Sequence, residues 1–228
     1  MTLLNSNFEE WRTANPGAPI EAFPFSIKKM SASGSLFDFN KLDDVSKNVI
    51  SRMSADEVYE LYTEWAKEYD RTMYNLFSEN ADYAKKILAI GRGGKKPRKD
   101  ITVWEDMREY VSLFYDELFK REASYPEGFD KEDIKTALSL FVSTYNENDD
   151  NGAWFDKVKA ICPEIGFCPD MKEYKANPDL YKGSVADVSG FIRIALTGKV
   201  NSPDMHEIMH IMGKERSLKR INEAISLL

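Results

Sequence analysis

Along most of this chain apolar residues recur at intervals of three and four, the repeat of a helix face. Ser54-Ala55-Asp56-Glu57 has the order of a capping box, and Val58, Leu61, Tyr62, Trp65 and Tyr69 follow it at helical spacing. Leu76, Tyr83, Ile87 and Leu88 mark the inward face of one helix over 72–90. Asp100 can cap a helix carrying Val103, Trp104, Met107, Val111, Phe114, Tyr115 and Leu118. Asp130 can cap the next, with Ile134, Leu138, Phe141, Val142 and Tyr145 inward. The polar run 146–152, NENDDNG, breaks the pattern with turn chemistry. A short helix over 154–161 stops ahead of Pro163, and 166–183 reads as irregular connection. Helices are expected again over 185–196, 203–212 and 214–228. The single strand candidate is 22–28, AFPFSIK, and Pro24 weakens it. With no internal repeat, many helices and short connections, the pattern predicts an all-α protein of stacked helical bundles.

Composition narrows the class. A chain of 228 residues can build one large core or two small ones. Its 43% hydrophobic and 30% charged residues are ordinary for a soluble globular protein. No apolar run approaches a membrane span. The start, MTLLNSNFEEWR, lacks the basic and apolar regions of a signal peptide. Cys162 and Cys168 are spaced C-x₅-C, which matches neither a zinc knuckle nor a redox motif, so two reduced thiols are expected. These features together predict a cytoplasmic protein with no membrane partner.

One motif carries a specific chemical claim. His206-Glu207-Ile208-Met209-His210 is a literal H-E-x-x-H, the signature of a zinc peptidase helix. Two His at i and i+4 can share one ion while the Glu polarises its water. A third ligand is required. Gly213 sits where the metzincin pattern has glycine, but its final histidine is replaced by Arg216, which has no lone pair to give. Glu215 and Glu223 follow too soon for the thermolysin-like pattern, and the chain has no other histidine. Helix packing explains the same residues. Ser202-Pro203 can serve as N-cap and first residue, Met205, Ile208, Met209 and Met212 form one apolar stripe, and Gly213 ends it. The histidines then lie about 120° from that stripe. No metal ligand and no catalytic residue is therefore assigned, and a zinc-dependent peptidase stays as the alternative.

Two further phrases resemble a known family. Lys29-Met30-Ser31-Ala32-Ser33 is similar to the K-M-S-K-S loop of class I aminoacyl-tRNA synthetases, with Ala32 where the second lysine would stand. No H-I-G-H element precedes it. The run Gly34 to Leu42, GSLFDFNKL, resembles the phrase that bacterial glutamyl-tRNA synthetases place beyond their catalytic loop, with Asp38 N-cap-like and Lys41-Leu42 in the first turns. Residues 190–221 resemble the C-terminus of the same family, through Arg193, the A-L-T-G at 195–198, Ser202-Pro203 and the G-K-E-R at 213–216. A looser likeness runs through 55–120. The resemblance implies a stem-contact remnant and connecting helices over 1–70, a first helical anticodon-binding module over 71–148, and a second over 149–228. It implies helical bundles of the class I synthetase anticodon-binding type. The function implied is recognition of the anticodon arm of a glutamate-accepting tRNA, with glutamine-accepting tRNA left open, by the non-catalytic C-terminal part of a glutamate–tRNA ligase. ATP and Mg²⁺ would belong to the full-length enzyme and to a catalytic domain that acts as partner, and no cofactor is expected in this chain.

Charge supplies an independent argument. The chain is net −7, which disfavours general nucleic-acid affinity, DNA included. Yet 92–99, RGGKKPRK, holds five basic residues and no acid, leaving 26 basic against 38 acidic residues elsewhere. Gly93, Gly94 and Pro97 make the run a loop able to follow a phosphate backbone. Unpaired RNA loops are read by stacking and hydrogen bonds. The candidate tRNA-binding residues are Arg92, Lys95, Lys96, Arg98, Lys99, Trp104, Arg108, Arg193, Lys214 and Arg216, with Tyr110 as a further reader. Lys219 and Arg220 extend the basic cluster on the last helix. The competing readings are a solvated connection for the loop, core packing for Trp104 and helix surface for Arg193. A helical protein–protein adaptor is the third functional alternative.

Overall fold

The computed structural model describes residues 6–30 and 39–228. Among them the regular structure is helical: α1 (Phe8–Ala14), α2 (Phe39–Arg52), α3 (Ala55–Tyr69), α4 (Arg71–Glu79), α5 (Ala81–Ala89), α6 (Asp106–Val111), α7 (Lys131–Thr144), α8 (Asn151–Ile161), α9 (Met171–Ala176), α10 (Val185–Thr197), α11 (Met205–Met212) and α12 (Lys214–Ser226). The chain divides into two units, 1–46 and 47–228, with the boundary inside α2. The module divisions expected at 70 and 148 both fall inside the second unit.

In the first unit α1, which the apolar spacing did not announce, sets Phe8 and Trp11 against Phe23, with ring centroids 5.1 and 5.3 Å away. The strand expected at 22–28 does not form. The 3-10 turns Ile20–Ala22 and Ile27–Lys29 take its place, with Pro24 between them. Ser31 to Asp38, which includes most of the K-M-S-A-S run and the proposed N-cap Asp38, lies outside the described residues; Lys41 and Leu42 do fall in the first turn of α2.

The second unit is built on caps. Ser54 and Glu57 form the predicted capping box at 3.1 and 2.7 Å. Val58, Tyr62 and Ala66 of α3 are buried, whereas Leu61 and Tyr69 face solvent. The helix expected over 72–90 is two helices. Asn80 adopts φ −145°, closes α4 and caps α5 by accepting from the Tyr83 amide at 3.0 Å. Asp70 does the same between α3 and α4, accepting from the Met73 amide at 3.2 Å. Asn and Asp compete with the helical backbone for such hydrogen bonds, and here they win.

The helix expected from Asp100 to Leu118 shrinks to α6 and one 3-10 turn, Ser112–Phe114. Asp100 does not cap it. Asp106 does the local work by accepting from the Thr102 and Val103 amides at 2.7 and 3.1 Å. Beyond it the carbonyls that a helix would use internally are taken by side chains. Phe114 O accepts from Tyr83 Oη at 3.0 Å and from Arg216 at 2.8 Å, and Leu113 O accepts from Arg220. A guanidinium fork satisfies such carbonyls where helix hydrogen bonds stop.

The remaining helices enclose one core. α7 packs on α8, α10 and α12, and α11 packs on α5 and α12. Phe77, Phe114, Phe141, Phe167 and Phe191 are wholly buried, each contributing about 1.5–3 kcal/mol of transfer free energy. The region 166–183 holds α9, a 3-10 turn and an isolated bridge between Cys168 and Ser184. Both cysteines are buried free thiols. α11 starts two residues later than expected. Asp204, not Ser202, is the N-cap and accepts from the Glu207 amide at 3.0 Å. Its stripe of Met205, Ile208, Met209 and Met212 is buried as the spacing predicts. No helix among the described residues is long and apolar enough to cross a membrane.

Candidate nucleic-acid interface

The basic loop is pinned at its arginines and open at its lysines. Gly91 (φ 66°) and Gly93 (φ 73°) turn the chain out of α5 through the left-handed region that glycine permits. Arg92 folds inward and donates to the carbonyls of Ile50 and Met53 at 2.5 and 3.3 Å, closing the end of α2. Arg98 grips Asp100 with two bonds of 2.7 and 2.9 Å. Lys95, Lys96 and Lys99 are exposed and meet no acid among the described residues. Of the five cations in the run, three therefore face outward with their charge uncompensated.

The candidates in and just before α6 sort differently. Trp104 is half-buried against Tyr62, centroids 6.0 Å apart, as core packing would have it. Arg108 chelates Asp70 at 2.7 and 3.2 Å, steadying the α3–α4 corner. Tyr110 is sunk beside Arg92 and Arg98, and burial pushes its phenol up to about 12. Tyr110 nevertheless lines a cleft.

That cleft, of about 440 Å³, lies between the loop 98–102, α6 and the loop 199–203. Lys47, Lys99, Tyr110, Lys199, Asn201 and Ser202 are on its wall. The second loop has its own scaffold. α10 ends at Gly198 (φ 70°), whose carbonyl accepts from the Glu122 and Ala123 amides at 3.1 and 2.8 Å. Arg193 donates to Ser202 Oγ at 3.2 Å. Lys199 donates to the carbonyl and carboxylate of Glu109 and to Ser112 Oγ. The end of the basic run, Arg98 and Lys99, and the stretch 199–203, which sequence treats as distant, therefore face one cavity. Lys47, Lys199 and Asn201 were missed as site residues because nothing in their local spacing marks them; only the fold brings them together.

On the last helix, Lys214 and Lys219 are exposed, but Arg216 and Arg220 are structural. Arg216 holds Tyr83 Oη and Phe114 O at 3.0 and 2.8 Å. Arg220, 3% exposed, binds Asp116 at 2.6 Å and lies 3.8 Å over the Phe119 ring. That bond holds the Asp116 carboxyl below its ordinary value. The cluster is thus half internal wiring, not a continuous basic stripe.

The H-E-x-x-H residues have another use. His206 Nε2 lies 2.8 Å from the Asp149 carbonyl, a partner that fixes that ring, while His210 is exposed. Among the described residues no group of three or more His, Cys, Asp or Glu is placed to hold a metal ion.

Comparison with known proteins agrees with this architecture. A family model described as Anticodon binding domain matches residues 181–225. The glutamate–tRNA ligase of Acetivibrio thermocellus is 48% identical over 225 residues, covering 99% of this chain and 41% of the relative. That of Clostridium perfringens strain SM101 is 42% identical over 231 residues, covering all of this chain and 42% of the relative. A crystal structure of a glutamate tRNA ligase from Elizabethkingia meningosepticum superposes with a TM-score of 0.53 at 17% identity, over 90% of this chain and 35% of that one. At that identity the likeness speaks for the fold alone. The chain spans about two fifths of the length of the relatives it matches. With close to half its residues identical along nearly its whole length, the chain belongs to the glutamate–tRNA ligase family and corresponds to the helical C-terminal, anticodon-binding part of those proteins.

Proposed function

We propose that this chain selects tRNA by binding the anticodon arm of a glutamate-accepting tRNA, as the non-catalytic part of a glutamate–tRNA ligase. The observation that carries this reading is the pairing of an outward lysine triad with a cleft. Lys95, Lys96 and Lys99 offer charge to phosphates, and the adjoining 440 Å³ space has Tyr110, Asn201 and Ser202 on its wall. Phosphate contacts position an RNA and polar pockets read its bases. The surrounding net charge of −7 limits binding elsewhere. Activation of glutamate with ATP and magnesium belongs, in this proposal, to the rest of such a ligase. The modules 71–148 and 149–228 contribute the α6 wall and the 199–203 wall respectively.

Binding of the chain to an anticodon-arm hairpin across a salt series tests it. If about three lysines meet phosphates of an unpaired loop, log K should fall with log salt at a slope near −2, from roughly 0.7 counterions per contact. Replacing Lys95, Lys96 and Lys99 by Glu should weaken binding and flatten the slope. Changing loop bases should cost about 1–3 kcal/mol per lost base contact. Unchanged affinity and slope in the charge-reversed protein would make this loop a connection only and move the RNA surface elsewhere.

A further inference from the structure

We infer that Lys199 is a positioning residue, holding the 199–203 wall of the cleft against α6, and not one of the cations that meet RNA phosphate. The proposal rests on the RNA-binding reading above and assigns a role inside it. Lys199 sits one residue past the turn at Gly198, where its ammonium looks like an obvious phosphate partner. Its geometry is different. The side chain is 22% exposed, and the ammonium donates to three acceptors, all on α6 and the turn that follows it. They are the Glu109 carbonyl at 3.1 Å, the Glu109 carboxylate, and Ser112 Oγ at 3.1 Å. An ammonium has three protons to give, so its donors are fully committed. Its charge is also matched by the Glu109 carboxylate, so it adds little to the attraction of a polyanion. Lys99, on the facing wall of the same cleft, is exposed and meets no acid among the described residues.

The strut lies where it can set the width of the cleft. From Lys199 the chain runs through Asn201 and Ser202, and Arg193 fixes Ser202 from α10 at 3.2 Å. The backbone is thus held at Gly198 by the 120–123 segment, at Lys199 by α6 and at Ser202 by α10. Removing the middle tie frees the stretch that carries the polar wall. A site that reads bases by hydrogen bonds depends on placement to a fraction of an ångström, whereas phosphate attraction does not. Lys199 therefore governs discrimination between RNA loops more than overall affinity.

The test compares the parent chain with Lys199→Ala, Lys199→Arg, Glu109→Ala and Lys99→Ala, on an anticodon-arm hairpin and on the same hairpin with its loop bases replaced, each over a salt series. Lys199→Ala and Glu109→Ala should lower the preference for the cognate loop by about tenfold, the loss of one base contact's worth of discrimination, with the salt slope of Lys199→Ala unchanged. Lys199→Arg should recover most of the preference. Lys99→Ala should do the opposite, reducing the slope by about 0.7 with the preference kept. A Lys199→Ala slope that falls as Lys99→Ala does would show a phosphate contact and overturn the assignment. Amide hydrogen exchange without RNA provides a reading that does not depend on binding. Exchange at 199–203 and 109–112 should be severalfold faster in Lys199→Ala than in the parent, with the core of α7 and α12 unchanged. If no variant binds RNA but this acceleration is present, the tRNA reading fails and the strut stands; exchange unchanged at 199–203 removes the strut.

Discussion

Gly198 is where a single methyl group should do the most damage. Its φ of 70° lies in the left-handed region, and a Cβ placed on it would come 2.3 Å from the Lys120 carbonyl oxygen and 3.0 Å from the Arg121 Cα. Both obstacles are backbone, so no side chain can swing aside. The same residue's carbonyl accepts from the Glu122 and Ala123 amides. Gly198→Ala thus carries about 1–2 kcal/mol for the left-handed conformation. Moving the 120–123 segment away weakens two backbone hydrogen bonds, about 1 kcal/mol each. The expected loss is about 3–4 kcal/mol. Gly190, on α10, is the matched control. Its Cβ would meet nothing within 4 Å, so Gly190→Ala should stabilise by roughly 0.5–1 kcal/mol through helix propensity alone.

Urea denaturation followed by tryptophan fluorescence separates these outcomes. Gly198→Ala should lower the midpoint with the slope m unchanged, and thermal melting should drop by roughly 6–16 °C for a domain of this size. Gly190→Ala should move both the other way. If Gly198→Ala stays within about 0.5 kcal/mol of the parent, the 120–123 segment does not pack tightly against the end of α10.

Three other substitutions test separate parts of the argument. Asn80→Ala removes the cap of α5 and should cost about 0.5–2 kcal/mol in urea; a gain in stability would show that α4 and α5 prefer to fuse. Tyr110→Phe should flatten the alkaline loss of stability. The buried phenol titrates at about 12 when folded and near 10 when unfolded, so the unfolded chain gives up its proton first, and stability present below pH 10 drains away as pH rises to about 12. Its contribution to the slope is up to about 1.4 kcal/mol per pH unit, measurable by urea midpoints from pH 9 to 12. Arg216→Lys keeps the charge, but its shorter side chain does not carry a nitrogen to the place of Nη1, which donates to both Tyr83 Oη and Phe114 O, so a loss of about 1–2 kcal/mol is expected in the same assay.

The parts of the fold that sequence made legible are those where one helix face decides everything. The α3 capping box, the Asp130 cap of α7 and the methionine stripe of α11 all follow from local spacing, and each is present. Legibility stops where a polar side chain overrules the apolar period. Asn80 breaks a helix whose apolar spacing runs straight through it. Arg216 and Arg220 take the carbonyls of 113–114 from over 100 residues away along the chain, so the helix expected through Leu118 ends early. For the site, the basic run was readable as a run. Its division into inward arginines and outward lysines was not, because that depends on carbonyls at Ile50 and Met53 that spacing does not bring near.

That division has a physical origin and a consequence. A guanidinium is planar, weakly hydrated and presents a fork of donors, so it suits carbonyls and carboxylates at places where backbone pairing ends. Arg92, Arg98, Arg108, Arg121, Arg216 and Arg220 are all used in this way. An ammonium on a long flexible stem is better hydrated and tends to stay in water. Lys95, Lys96, Lys99 and Lys214 do so. In a chain of net −7, outward charge concentrated on a few lysines makes affinity for a polyanion salt-sensitive and local, while the arginines set where the walls of the cleft stand. Affinity and selectivity then reside in different residue types. On the cleft wall Lys199 goes with the arginines: its three acceptors draw it out of the first group and into the second.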